Sequence, residues 1–349
     1  MSFETIICNW YKENRRDLPW RNTKNPYKIW LSEVILQQTR VEQGLPYYHA
    51  FVDNYPTVQL LADANEDDIL KLWQGLGYYS RARNMHAAAK FIASDCGGKF
   101  PSTYDDIRAL KGVGDYTAAA IASFAYKLCY PVIDGNVYRV LARYFGISSA
   151  IDSTTGKKEF KALAEQLIPK ASPDIYNQAI MEFGAIQCTP KKPNCLFCPL
   201  QKSCYAYGKG TISQFPFKAK KVKQRNRFFN YLVLIDNQNT FLQKRTGKDV
   251  WQGLFQFPLI ETPKVIEEKE LKQSKEWNTL FAESPTILKC SKEYKHILSH
   301  QKIYAKFWVI DGQIDLKNTS FEKTIIEDLN KYAVPRLIEN YLVDEKLVK

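Results

Sequence analysis

Apolar residues recur at three- and four-residue spacing up to about residue 205, and the stretches between them are short and marked by Gly or Pro. This spacing is typical of helices that bury one face. The helical pattern is clearest at 30–40, 66–73, 82–93, 117–125, 137–145 and 175–185. Residues 1–208 are therefore predicted to form an all-helical domain.

A different pattern follows a basic stretch at 209–227, which holds seven basic residues and no acidic one. That stretch is predicted to be a linker that tracks a phosphate backbone, and a solvated hinge without a ligand is the alternative. Beyond it, aromatic and β-branched residues alternate with a period of two, which predicts strands. The strand pattern covers 229–235, 240–243 and 303–310, and helical patterns cover 265–273 and 322–342. Residues 228–349 are therefore predicted to form an α+β domain.

Composition agrees with two folded domains, and the net charge indicates the kind of partner. The 349 residues are about twice the length of a typical domain, and 45% of them are hydrophobic. A net charge of +12 favours a polyanionic partner such as nucleic acid, although membrane-surface and ordinary soluble proteins can be equally basic.

The sequence has no visible secretion signal, and its longest near-apolar run, 117–126, is shorter than the roughly 20 residues of a membrane span. We expect a cytoplasmic monomer, associated with the nucleoid in a bacterium, with no membrane partner. No feature points to a particular protein partner.

Four of the eight cysteines lie within 17 residues in the pattern C-x6-C-x2-C-x5-C. They are Cys188, Cys195, Cys198 and Cys204. One short loop with this spacing can wrap four thiolates around a compact metal centre. A zinc ion is the alternative metal for this site. Zinc ribbons, however, usually pair two C-x2-C hairpins, and this loop has one. An iron-sulfur cluster is the preferred interpretation.

Two motifs between predicted helices suggest contacts with phosphate and sugar. Gly112 and Gly114, within 110–114, permit a tight turn whose amides can point at a phosphate, although two glycines also occur in ordinary helix-helix turns. Asp134 precedes a glycine and a new helix. A carboxylate at a helix N-terminus is favoured in its ionised form.

The L-x-G-V-G hairpin, the V-I-D-G-N-V segment at 132–137 and the cysteine spacing together resemble the endonuclease III superfamily of base-excision glycosylases. The resemblance covers residues 2–205. It implies a helix-hairpin-helix near 105–125, a 4Fe–4S cluster in the loop 188–204, and duplex DNA as the partner. Superfamily members that also cut the strand carry a lysine nucleophile where this chain has Tyr116. A monofunctional glycosylase is therefore expected.

The segment W-L-S-E-V-I-L-Q-Q-T at 30–39 resembles the signature of the adenine DNA glycosylases of the MutY family. The residues support this resemblance, because the apolar neighbours of Glu33 can hold a proton on its carboxyl near neutral pH. The resemblance implies that Glu33 protonates adenine and later handles water, while Asp134 stabilises or captures the sugar cation. Tyr116 is expected to support that site by hydrogen bonding.

The same resemblance implies residues that contact DNA. Arg21 and Gln178 are expected to line the pocket for the flipped adenine, and Tyr78 to intercalate beside the partner base. Either Gln37 or Gln38 is expected to fill the space that adenine leaves.

The family also implies a C-terminal Nudix-like domain that recognises oxidised guanine. The acidic signature of Nudix hydrolases is absent from this sequence, so we expect recognition without catalysis. The residues expected to contact the oxidised base are His296, Leu298, Ser299 and His300, with Leu298 standing where the family has Phe. Truncation after Arg227 should erode the preference for oxidised guanine more than adenine excision.

These observations predict a monofunctional glycosylase that removes adenine mispaired with 8-oxoguanine or guanine in duplex DNA. A pyrimidine-damage glycosylase and lyase of the endonuclease III type is the enzymatic alternative, disfavoured by Tyr116 and by the second domain. A non-catalytic DNA-binding relative is disfavoured by the presence of both Glu33 and Asp134.

Overall fold

The computed structural model describes residues 1–219, 224–312, 316 and 321–348. Part of the predicted linker, 220–223, and parts of the second domain, 313–315, 317–320 and 349, lie outside the described residues. The chain divides into two compact units, Met1–Asp63 with Asn84–Lys221 and Ala64–Arg83 with Val222–Lys349. The first is helical and the second contains a mixed sheet, which confirms the predicted fold class.

Helices make up nearly all the regular structure before residue 209. Their bounds are α1 Phe3–Asn14, α2 Pro26–Ile35, α3 Val41–Asn54, α4 Val58–Asp63, α5 Glu66–Leu72, α6 Ser80–Ser94, α7 Tyr104–Ala109, α8 Asp115–Tyr126, α9 Gly135–Phe145, α10 Thr154–Leu167, α11 Pro173–Glu182 and α12 Tyr205–Gly208. Within the described residues no helix is long and apolar enough to cross a membrane.

The start of α2 follows from its sequence. Pro26 suits the first helical position, and the side chain of Asn25 accepts hydrogen bonds from the backbone amides of Tyr27 and Lys28. The helix is buried over nearly its whole length, so it forms the centre of the helical unit. The core behind the candidate site is formed by α1, α9 and α11, where Ile7 and Leu141 are fully buried.

The second unit is built around a long parallel strand pair. Its strands are β1 Arg225–Asp236, β2 Asn239–Lys244, β3 Phe255–Gln256, β4 Leu259–Thr262, β5 Ile287–Cys290, β6 Tyr294–Ile297, β7 Gln301–Asp311 and β8 Glu322–Ile325. The helices of this part are α13 Glu268–Lys272, α14 Lys275–Leu280 and α15 Arg336–Asp344. β1 runs parallel to β7, while β2 and β4 pair antiparallel with β1, and β5 and β6 pair antiparallel with β7.

One predicted helix of the second domain is wrong over most of its length. The pattern at 322–342 predicts a single helix, but the segment holds β8, a 3-10 turn at Ile326–Lys331 and only then α15. β8 pairs with β2, with Thr240 opposite Thr324. Pairing across more than eighty residues of chain therefore outweighs the local helical spacing.

The domain boundaries also differ from the predicted ones. Residues 64–83 group with the second unit because Asp67 forms an ion pair with Lys244, Lys71 donates to the carbonyl of Tyr332, and Gln74 accepts from the amide of Val334. Much of the predicted linker is structured as well. Its buried Phe215 packs on the helical unit, and β1 already begins at Arg225.

Candidate active site

A cleft of about 700 Å³ opens in the helical unit. Its lining includes five of the residues that the sequence singles out: Arg21, Glu33, Tyr116, Asp134 and Gln178. Residues separated by up to 157 positions along the chain are thus brought to one concave site. Such a cleft is large enough for a small organic group.

Glu33 projects from α2, between apolar neighbours that are almost completely inaccessible to water. Only 6% of the residue is exposed. Burial raises the pKa of Glu33 to about 7, and a hydrogen bond donated by the Tyr116 hydroxyl, 2.7 Å from Oε2, acts in the opposite direction. The carboxyl is therefore poised to hold and release a proton near neutral pH.

Asp134 caps the N-terminus of α9, as its position before Gly135 predicts. Its carboxylate accepts hydrogen bonds from the Val137 amide at 2.8 Å and from Asn136 Nδ2 at 2.7 Å. Burial nevertheless raises the pKa of Asp134, and these hydrogen bonds only partly oppose it. The direction of this pKa shift is therefore opposite to the one that the helix N-terminus alone implies, because the sequence argument did not include the loss of solvent.

A buried acid that the sequence analysis missed orders one wall of the cleft. Glu182 accepts from Arg21 Nη2 at 2.6 Å and from the Arg16 side chain at 2.8 and 2.9 Å. Burial alone would raise the pKa of Glu182, but the two arginines outweigh it and hold the pKa at about 2. Nothing in the local sequence signals this contact, because the partners are more than 160 residues apart.

The other predicted adenine-pocket residue, Gln178, is also engaged. Its Oε1 accepts a hydrogen bond of 2.8 Å from the hydroxyl of Tyr11, and the guanidinium of Arg21 lies 5.7 Å from the ring of Tyr11. Tyr11 therefore orients the amide of Gln178. The amide group remains half-buried at the cleft, where it can offer a donor to a ligand.

The glycine hairpin joins α7 to α8. Gly112 has a φ of +80°, and a Cβ there would lie 2.6 Å from the Cβ of Asn84, so only glycine fits without strain. Gly114 differs, because its φ of −101° is ordinary and a Cβ would meet open space. Gln37 Nε2 donates to Thr117 Oγ1 on α8 at 3.2 Å, and Gln38 is exposed with a φ of +57°.

The remaining predicted DNA contacts lie in the second unit. Tyr78 is 49% exposed, adopts a φ of +48°, and its hydroxyl lies 2.7 Å from Ser299 Oγ. The guanidinium of Arg81 supports this loop, since it donates to the carbonyls of Leu76 and Gly77 at 3.3 and 3.1 Å and lies 5.8 Å from the Tyr78 ring. Arg81 is thus a loop-positioning residue that the sequence analysis did not identify.

A cavity of about 500 Å³ adjoins Tyr78 within this unit. His296, Leu298, Ser299 and His300, all predicted to contact the oxidised base, line it. The ring of His296 packs edge-on against Trp251 with centroids 5.5 Å apart, and burial lowers the pKa of His296. The five residues predicted to recognise the partner base therefore share one cavity.

The four clustered cysteines also share a small cavity. Arg143 of α9 donates to the carbonyl of Thr189 at 2.8 Å and lies 3.4 Å from Cys188 Sγ, while Arg139 donates to the carbonyl of Cys188 at 2.7 Å. The helix that Asp134 caps therefore also anchors the cysteine loop. Among the described residues no three His, Cys, Asp or Glu side chains are spaced to share a single metal ion.

Comparisons with known families agree with both units. Residues 31–170 match the HhH-GPD superfamily of base excision DNA repair proteins, and residues 230–343 match the NUDIX domain family. Among solved structures, a thermostable thymine-DNA glycosylase shares 33% identity at a TM-score of 0.55, over 59% of this chain and 95% of that one. An endonuclease III–DNA complex, 21% identical, shares the fold over 60% of this chain and 99% of that one, at a TM-score of 0.52.

Curated relatives extend the similarity to the whole chain. The adenine DNA glycosylase of Buchnera aphidicola subsp. Baizongia pistaciae is 36% identical over 332 residues, which is 94% of this chain and 91% of the relative. That of Buchnera aphidicola subsp. Schizaphis graminum is 40% identical over 74% of this chain and 75% of the relative. The human adenine DNA glycosylase is 41% identical over 59% of this chain and 39% of its own length. The chain therefore belongs to the adenine DNA glycosylase family, the MutY family, and is a base-excision repair glycosylase.

Proposed function

We propose that this glycosylase hydrolyses the N-glycosidic bond of adenine paired with 8-oxoguanine or guanine in duplex DNA. The observation that carries the proposal is the burial of Glu33 beside Tyr116, in the same cleft as Asp134. Two carboxyl groups in different surroundings can divide acid catalysis and charge stabilisation between them. The protein acts as a monomer in the compartment that holds its genomic DNA, which is the cytoplasm in a bacterium.

Catalysis begins with adenine turned out of the helix into the cleft, where Arg21 and Gln178 hold its edge. Protonated Glu33 gives its proton to the adenine ring. The glycosidic bond then breaks and its electron pair leaves with adenine. Asp134 stabilises the resulting sugar cation through its negative charge. Water adds to the sugar while the Glu33 carboxylate accepts a proton, which restores the starting state of the enzyme.

Tyr116 limits the reaction to base removal. Its hydroxyl hydrogen-bonds to Glu33 at the position where strand-cutting relatives carry an amine. Without that amine no Schiff base with the sugar forms at this position. The expected product is an intact strand with an abasic site, which breaks only after treatment with hot alkali.

The substitution Glu33→Gln tests the proposal. It keeps the shape and removes the titratable carboxyl, so single-turnover release of adenine should fall by at least about 100-fold, the usual scale of one general acid. Binding to the mispaired duplex should survive. Glu13→Gln, a change at an exposed glutamate of α1, is the matched control and should keep full activity.

The substrates in this assay separate the alternatives. Adenine opposite 8-oxoguanine and opposite guanine should be excised, and thymine glycol or thymine opposite guanine should not. Full activity of the Glu33→Gln variant would remove Glu33 from the mechanism. Strand cleavage at thymine glycol without alkali would instead support the endonuclease III type of activity.

The cysteine loop is proposed to hold a 4Fe–4S cluster through Cys188, Cys195, Cys198 and Cys204. Two features support this: the four thiols line one cavity, and the guanidinium of Arg143 lies beside them, where it can balance thiolate charge. The cluster supplies structural cross-linking of the loop when bound.

The metal content of the purified protein tests the cluster. A brown colour with broad visible absorbance, lost in Cys198→Ser but kept in Cys290→Ser, is the expected result. Cys290 is an exposed cysteine outside the loop and therefore a matched control. A colourless wild-type protein with one zinc ion per chain would refute the assignment.

The second unit is proposed to read the base opposite adenine. Tyr78 is suited to enter the base stack because its ring is half exposed, and Ser299 and His300 offer hydrogen-bonding groups in the same cavity. Leu298 supplies apolar contact in place of an aromatic ring. Gln37 or Gln38 fills the position that adenine vacates, next to the hairpin of Gly112.

A further inference from the structure

The cavity beside Tyr78 contains charge that base recognition does not use. Besides the residues already described, its lining includes Arg225, Lys248 and Asp249. Arg225 and Lys248 are exposed, and within the described part of the chain neither has a carboxylate at ion-pair distance. Arg83 and Arg336 also line the cavity, but Arg83 donates to the carbonyl of Gln252 and Arg336 pairs with Glu339. The other two cations, on one concave surface, attract an anion, above all one that can reach both.

The carboxylate of Asp249 does not cancel this charge. Its two oxygens accept from Arg227 at 2.7 and 2.8 Å, and Oδ2 also accepts from Arg245 at 2.8 Å. Arg227 is in addition paired with Glu261 at 2.7 Å. These two arginines and two acids form a neutral set, so the positive charge of Arg225 and Lys248 remains uncompensated.

Both cations lie on backbone that the structure holds in place. The amide of Arg225 donates to the carbonyl of His300, which ties the start of β1 to the turn that carries Ser299. Lys248 precedes the anchored Asp249, whose own amide donates to the carbonyl of Gly247 at 2.8 Å. The cations are therefore held next to the residues that read the base, and ordering them for a ligand costs only side-chain entropy.

We propose that Arg225 and Lys248 form a binding site for a backbone phosphate of the DNA strand that carries the oxidised guanine. The identity of that strand rests on the function proposed above, in which Tyr78 and Ser299 contact the partner base. A base that reaches this cavity brings the phosphate of its own nucleotide with it. Contacts of this kind fix the register of the duplex and carry no sequence information.

The salt dependence of binding tests the site. The probe is a duplex with 8-oxoguanine opposite a 2′-fluoro adenosine analogue, which resists cleavage because fluorine destabilises the sugar cation. Between about 50 and 200 mM salt, the slope of log Kd against log salt should fall by about 1 in Arg225→Met and in Lys248→Met, and by about 2 in the double variant. Lys275→Met, at an exposed lysine of α14, should leave the slope unchanged.

Neutral methylphosphonate linkages locate the phosphate. Each linkage flanking 8-oxoguanine is neutralised in turn, and affinity is measured for the wild-type protein and the double variant. At the contacted position the neutral linkage should lower the affinity of the wild-type protein for the duplex about tenfold and leave the affinity of the double variant unchanged. An unchanged salt slope in the double variant, or equal sensitivity of both proteins at every linkage, would overturn the proposal.

A free nucleotide is the other possible source of the phosphate. In one outcome, 8-oxo-deoxyguanosine monophosphate displaces the duplex from the wild type but not from the double variant, and every neutral linkage changes the affinity of both proteins equally. The site then binds free nucleotides, and the DNA assignment is wrong. None of these measurements requires base excision. Failure of the proposed adenine activity, detected with Glu33→Gln, is therefore distinguishable from failure of the phosphate site.

Discussion

At the scale of single residues, the proposed chemistry depends on how burial sets the protonation of Glu33. An exposed glutamate is ionised at neutral pH and has no proton to give. In this chain the apolar neighbours on α2 come from the segment 30–39, and the burial of α2 within the helical unit removes water from the carboxyl. The hydrogen bond donated by Tyr116, on α8, lowers the pKa of Glu33. Burial and this hydrogen bond together place that pKa at about 7.

This balance predicts the pH dependence of base excision. Because Glu33 must be protonated to donate, the single-turnover rate should fall as pH rises through about 7. Tyr116→Phe removes the hydrogen bond that lowers the pKa of Glu33, so the alkaline decline should move to higher pH, whatever happens to the maximal rate. Rates measured on a duplex with adenine opposite 8-oxoguanine report both effects.

Tyr126→Phe is the control for this measurement. Tyr126 lies at the far end of the same helix, where its hydroxyl contacts the carbonyl of Phe100 at 3.3 Å. Its removal should leave the pH profile unchanged. A decline that stays in place in Tyr116→Phe would show that a group other than Glu33 sets the alkaline limit.

At the scale of elements, the hairpin between α7 and α8 contains two glycines with different structural demands. The sequence presents Gly112 and Gly114 as equivalent parts of one motif. Only Gly112 has a backbone that disfavours other residues, and only there does a Cβ collide with Asn84. The difference follows from φ angles and from a contact with α6, neither of which is visible in the motif.

We predict that Gly112→Ala destabilises the protein by about 1–3 kcal/mol and weakens duplex binding, because the turn must distort. Gly114→Ala should change the free energy of unfolding by less than about 0.5 kcal/mol. Urea denaturation and equilibrium binding to a mispaired duplex measure the two quantities. Equal losses in both variants would contradict the assignment of the constraint to Gly112.

The elements themselves follow the sequence to different degrees. Helices of the first unit are recognisable from their apolar spacing and from caps such as Asn25 and Asp134, which act within three residues. The helical spacing at 322–342 predicts a helix where β8 forms, because the pairing of β8 with β2 is a long-range contact. Local periodicity cannot represent such a contact. The last helix begins only after Pro335, which is its N-cap.

At the scale of the whole molecule, the units do not follow the order of the chain. Residues 64–83, which carry Tyr78, are contributed by the N-terminal half and yet belong to the unit that contains β1. This changes the truncation experiment that the sequence suggests. Removing the C-terminal part deletes the partners of Asp67, Lys71 and Gln74 as well as the residues proposed to contact the base opposite adenine.

A chain ending at Ala219 should therefore show two losses. Its preference for adenine opposite 8-oxoguanine over adenine opposite guanine should fall at least about tenfold, which is a loss of about 1.4 kcal/mol of discrimination. Its thermal unfolding temperature should also fall, because residues 64–83 lose their contacts. Single-turnover rates on the two duplexes and a thermal melt measure these effects.

Ser299→Ala separates the two losses. The substitution removes the hydroxyl that contacts Tyr78 at an exposed position, so the preference should fall while the unfolding temperature stays unchanged. An unaltered preference in both the truncated chain and Ser299→Ala would exclude the second unit from base recognition.

The sequence by itself determined the family and the two types of domain, and it singled out five side chains that line one cleft. The helical spacing, the cysteine spacing and the motif around Glu33 each lie within a short stretch of chain, so they can be recognised from the sequence without knowledge of the fold. The tertiary structure alone decided the pairing of Glu182 with Arg16 and Arg21, the support of Tyr78 by Arg81, and the uncompensated charge of Arg225 and Lys248. These depend on which distant groups become neighbours and on how much water burial removes, and both are set only when the chain has folded.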